Sequence, residues 1–143
     1  MINMISRILV ALDGSTHSKK ALDYAIFLTK ACKASLGIIH VIHLPTISSA
    51  DPQTVDKVTH LLESAGNKIL TKAEEEAEAS GLKVDRIREV GYPVNHIVKA
   101  SNKGRYDLIV MGSRGMSGIK EFLLGSISHG VNQHAKCPVL IVH

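Results

Sequence analysis

The sequence predicts an α/β protein, a parallel β-sheet covered by helices on both faces. Short, largely apolar runs such as Ile8-Leu9-Val10-Ala11-Leu12, Leu36 to Ile42 and Val139-Leu140-Ile141-Val142 mark strands buried on both sides. Segments with apolar residues at every third or fourth position lie between the strands, so the two element types alternate. The chain has 143 residues, 45% hydrophobic and 21% charged, which suits a single domain over 1–143 with a sizeable core.

Each element follows in turn. The first strand, residues 8–12, breaks at Asp13-Gly14-Ser15, where Ser15 or a neighbour can cap a helix carrying Leu22, Ala25, Leu28 and Cys32. Residues 36–42 form the second strand, and a polar stretch from His43 to Asp51 follows, with Pro45 and Pro52 as breakers. Val58, Leu62, Ala65, Ile69 and Ala73 mark the inward face of a long helix. It runs into the acidic segment 74–78, read as a solvated face, and stops at Gly81. Val84 to Val90 is a more polar strand, as expected at a sheet edge. Pro93 suits the first turn of a helix reaching about Lys103. A strand at 107–111, a glycine-punctuated loop, a short helix from about Ile127 and a strand at 139–142 complete β-α-β-α-β-α-β-loop-α-β. No linker, repeat or low-complexity segment interrupts this order.

Composition narrows the function. Aromatic residues are only 3% and Trp is absent, so stacking platforms for single-stranded nucleic acid are scarce; with no basic stripe, nucleic acid is disfavoured as a partner. The net charge of +4 suits a small anionic ligand, although surplus surface lysine is the commoner cause. Cys32 and Cys137 stand far apart and read as reduced thiols. Met1 to Arg7 is too short and polar for a signal peptide, and no apolar run approaches bilayer length, so a cytoplasmic protein without a membrane partner is expected. His40 and His43 fall on opposite faces by strand alternation, and His129 and His134 share no helical face. No metal centre of protein side chains is expected, and no catalytic set can be argued from spacing.

In a doubly wound sheet, ligands bind beyond the carboxyl ends of the strands. The segment MGSRGMSGIKEFLLGS, residues 111–126, begins there and carries Gly112-x-x-Gly115, nine residues, then Gly125-Ser126. Composition alone gives about 0.01 chance matches to that spacing. Neither GxGxxG nor GxxxxGK[ST] is present, so a dinucleotide fingerprint and a P-loop are both unsupported. Glycines let backbone amides approach a ligand closely, and a serine at a helix start adds a hydroxyl beside unpaired amides. Both features suit a phosphate. The loop also exceeds the usual length of a strand-to-helix connection, and long ordered loops tend to be functional. On the competing reading, the glycines only turn the chain while Ile119, Phe122 and Leu123 cover the core.

At these residues the chain resembles the universal stress protein family. The likeness runs through ILVALDGS at 8–15, His40-Val41-Ile42, Gly91-Tyr92-Pro93, Asp107 to Gly112, the glycine loop, and Cys137-Pro138-Val139-Leu140-Ile141-Val142. The glycine spacing is like that of the family's ATP-binding branch. The resemblance implies a five-stranded parallel sheet in the order 3-2-1-4-5. It implies adenine and ribose near Ala11, Asp13 and the backbone of Val41. Phosphates would sit at Gly112, Ser113, Arg114 and Gly115 and at Gly125, Ser126, Ile127 and Ser128. Amides at 113–115 and 126–128 would face them, with Mg²⁺ or Mn²⁺ carried on the phosphates rather than in a protein cage. Asp13 can meet ribose hydroxyls or a cation, or simply form the turn before Gly14. The Arg114 side chain can reach the phosphates or point to solvent.

The resemblance also implies a homodimer through Val139–Val142, an uncharged edge strand. The expected function is nucleotide-dependent regulation in a stress response. Slow ATP hydrolysis or nucleotidyl or phosphoryl transfer is the alternative, weakened by the lack of a P-loop lysine and of an evident catalytic base in the loop. No downstream partner can be read from the sequence.

Overall fold

The computed structural model describes residues 4–44, 51–114 and 125–143. Its elements run β1 (Arg7–Ala11), α1 (Thr16–Cys32), β2 (Ser35–Ile42), α2 (Pro52–Ala79), β3 (Val84–Val90), α3 (Pro93–Lys103), β4 (Leu108–Gly112), α4 (Ser126–His134) and β5 (Val139–Val142). The strands form one five-stranded sheet in the order β3-β2-β1-β4-β5, with every pairing parallel. The chain therefore winds outward from β1 to β3, then returns to the other side of β1 as β4. The carboxyl ends of β1 and β4 diverge at that reversal, where doubly wound sheets open a crevice.

Strand alternation divides the core into two layers. Ile8, Val10 and Leu12 face α1 and α2, packing on Ala21, Leu22, Ala25, Leu70 and Ala73. Leu9, Ala11, Ile39, Ile109 and Met111 face the opposite side, against Ile97 of α3 and Val131 of α4. The same alternation sends His40 toward α2 while Val41 packs with the second layer. Ser15 caps α1 by accepting the Ser18 amide, and Asp51 caps α2 by accepting the Thr54 amide. Gly81, at φ +86°, follows the end of α2 as the sequence predicts.

Two strand ends and one helix face differ from the sequence reading. Leu12 lies beyond β1, although its amide still donates to Ile39 O at 2.9 Å. Asp107 precedes β4 because its carboxylate clamps the opposite end of the sheet, accepting from the Ser6 and Arg7 amides. The inward face of α2 is rotated: Gly66, Leu70, Ala73 and Ala77 are buried, while Ala65 is exposed. The His40 ring fills the space that a side chain at position 66 would need.

Candidate functional site

A cleft of about 300 Å³ opens at the reversal point, lined from both sides of the sheet. Ala11 and Asp13 follow from β1, Ile39, Val41 and His43 from β2, and Pro93 and Ile97 from α3. Met111, Gly112 and Arg114 enter from β4, and Gly125 to Ser128 from the start of α4. Leu12 and Ser18 complete the lining. The volume sits at the lower end of the roughly 300–1,000 Å³ usual for small-molecule sites.

Backbone polarity gathers on the β4–α4 side. Gly125 is the N-cap of α4 and supplies no side-chain cap, so the first amides of the helix have no side-chain capping acceptor among the described residues. Their direction and the helix dipole favour an anion. Arg114 lines the same wall, and its Nε is buried with no hydrogen-bond partner among the described residues. A buried, unpartnered guanidinium nitrogen is costly, and an anionic ligand would relieve it.

The serines serve differently from expectation. The Ser113 amide was expected to face phosphate; instead it donates to Val142 O at 2.8 Å, extending the β4–β5 ladder. The Ser113 carbonyl accepts the Gly125 amide at 2.7 Å, and the Ser128 hydroxyl stands 3.0 Å from that same carbonyl. Ser113 and Ser128 thus staple the two ends of the glycine segment together. Gly112 also has an internal reason: a Cβ there would come 2.7 Å from His17 Cβ and 2.8 Å from His17 backbone carbon. Gly125 has φ −61°, so no left-handed conformation demands it; a Cβ would press on Ser113 O at 3.2 Å.

Asp13 combines both of its sequence readings. Its Oδ1 accepts the Ser15 amide at 2.9 Å, closing the turn, while the residue lines the cleft. His43 lines the cleft with its ring edge-on to Tyr92, centroids 5.4 Å apart.

The chain belongs to the universal stress protein family. The family model matches residues 4–143. Universal stress protein YxiE of Bacillus subtilis is 39% identical, spanning 97% of this chain and 99% of its own length. The solved structure of the protein MJ0577 superposes with TM-score 0.80 at 34% identity, covering 97% of this chain and 96% of that one. A universal stress protein crystallised in complex with cAMP gives TM-score 0.74 at 29% identity over 98% of both chains.

Within this family member, Ala11, Asp13, Val41, Gly112, Arg114, Gly125, Ser126, Ile127 and Ser128 come together around the cleft, and Ser113 lies just behind it. Gly115, Ile119, Phe122 and Leu123 lie outside the described residues. Sequence reasoning missed Leu12, Ser18, Ile39, His43, Pro93, Ile97 and Met111. Ile39 was within reach, being two residues from Val41 on the same strand face. Among the described residues, no three His, Cys, Asp or Glu side chains gather at metal-binding distance. No helix among them is long and apolar enough to cross a membrane.

Proposed function

We propose that this chain belongs to the ATP-binding branch of the family and works as a nucleotide-dependent regulator in a cytoplasmic stress response. The observation that carries the reading is the pairing of the α4 start with the buried Arg114 Nε, neither of which finds a side-chain acceptor among the described residues, beside an apolar slot. Ala11, Ile39, Val41 and Ile97 form that slot, an apolar surface that suits a purine between sheet and α3. Asp13 would take the ribose hydroxyls with the carboxylate oxygen its turn leaves over. Gly112, Arg114 and the amides of Ser126, Ile127 and Ser128 would take the phosphates, joined by Gly115 through the glycine segment. Support also comes from the 29%-identical universal stress protein crystallised with cAMP, itself an adenine nucleotide. Mg²⁺ or Mn²⁺ would ride on the phosphates, with the Asp13 carboxylate among the residues that line the cleft.

The alternative is slow ATP hydrolysis or group transfer. The described lining residues include no lysine, the group that P-loop and kinase sites use on the transferred phosphoryl. Binding without appreciable turnover is the expected outcome, far below the enzyme median of about 10 per second. Mass spectrometry of the small molecule released when the purified protein is denatured tests the assignment. An adenine nucleotide is expected, and a different ligand class would overturn it.

A homodimer through β5 accompanies this reading. Val139–Val142 has no charge and, among the described strands, pairs only with β4. Light scattering should give twice the 15.4 kDa chain mass. A monomer would refute the pairing.

A further inference from the structure

At the carboxyl end of β2, His40 turns away from the cleft, yet it grips the loop that carries Asp13. Its Nδ1 stands 2.7 Å from Leu12 O. A carbonyl only accepts, so Nδ1 carries the hydrogen and donates it. The Leu12 amide meanwhile donates to Ile39 O at 2.9 Å. Both backbone polar groups of Leu12 are therefore held by β2. The Leu12 carbonyl shares one rigid peptide plane with the Asp13 amide, so fixing the carbonyl fixes where Asp13 begins.

Helix α2 fixes the ring in turn. A Cβ at Gly66 would come 2.8 Å from His40 Cδ2 and 3.1 Å from Nε2. Only a residue without a side chain leaves room there for the imidazole. The same helix touches the loop directly, because a Cβ at Gly14 would come 3.0 Å from Ile69 Cδ1. The histidine is thus wedged between α2 and the loop after β1.

We propose that His40 is a positioning residue for the nucleotide site: its Nδ1–H bond to Leu12 O sets the place of the Asp13 carboxylate. It touches no ligand itself. This inference rests on the nucleotide reading of the cleft and deepens it. Asp13 Oδ1 is already turned toward the Ser15 amide, so the direction of the remaining oxygen depends on the backbone before it.

Two variants test the role. His40→Phe keeps a ring against Gly66 and removes the donor, whereas His40→Asn places an amide nitrogen near the lost Nδ1. His40→Phe should weaken adenosine and ATP by the same factor, roughly threefold to tenfold for one lost hydrogen bond. His40→Asn should recover most of that loss. In a protein already carrying Asp13→Ala, His40→Phe should cost no further affinity, because it acts through Asp13. Wild-type affinity in His40→Phe, or an undiminished loss in the Asp13→Ala background, would overturn the proposal. Should His40→Phe fail to fold, His40→Gln, which moves the amide beyond Leu12 O, takes its place in the same cycle. Nitrogen NMR of the ligand-free wild type reads the bond without any nucleotide. A proton on Nδ1 is expected, and a proton on Nε2 alone would sink the latch. An intact Nδ1 proton in a protein that binds neither adenosine nor ATP would overturn the nucleotide reading and the positioning role together, leaving the hydrogen bond itself standing.

Discussion

The two walls of the cleft are built from different materials. The β1–β2–α3 wall is made of side chains: Ala11, Ile39, Val41, Pro93 and Ile97 give it an apolar shape, with Asp13 and His43 at its polar margin. The β4–α4 wall is largely backbone, with Gly112, Gly125 and the first amides of α4, which have no side-chain cap among the described residues, beside one guanidinium. Shape selects a flat, apolar base, and oriented amides select negative charge. A ligand with both a planar ring and an anionic tail satisfies the two walls at once. Adenosine and ATP, which differ only in that tail, separate their contributions.

The largest effect is expected at Gly112. Any Cβ there meets His17 backbone, so Gly112→Val should lower stability by about 2–4 kcal/mol, read as a lower Tm, along with losing ATP. Gly115→Val, by contrast, is expected from the sequence to keep the fold and abolish ATP binding, measured by calorimetry; an equal drop in Tm would erase the distinction. Next comes Arg114→Ala, which should weaken ATP on the order of tenfold to a hundredfold while adenosine binds as before. Equal losses for both ligands would assign Arg114 to the wrong wall. Val41→Ala should do the opposite, costing adenosine and ATP the same factor of about tenfold or less through lost apolar contact. The smallest effect is that of salt. Raising ionic strength from about 0.05 to 0.5 M should weaken ATP severalfold and leave adenosine unchanged, because adenosine carries no charge for salt to screen.

The contrast between the walls also explains what the sequence revealed. The fold was legible because each strand is a compact apolar run and each helix carries its own period. The strand order was not; it came through the family resemblance, since parallel strands are paired by contacts distant in sequence. The backbone wall announced itself through glycine spacing, but spacing does not tell which neighbours those residues serve inside the protein. Gly112 makes way for α1, and the Ser113 amide belongs to the sheet. The side-chain wall was nearly silent, because Ile39 and Ile97 look like any core residue until the fold places them at a strand end and a helix start. The face of α2 was misread at Ala65 for a similar reason. No local pattern tells that a histidine on β2 will occupy the space opposite Gly66.

The central claim is that both walls act on one ligand. Calorimetric titration of nucleotide-free wild-type protein with ATP and, separately, with adenosine tests it most directly. The account predicts one shared site per chain, competition between the two ligands, and tighter binding of ATP by the contribution of its phosphates. Absence of binding heat for both ligands up to about 1 mM, where affinity falls to only about −4 kcal/mol, or simultaneous binding of the two without competition, would contradict it.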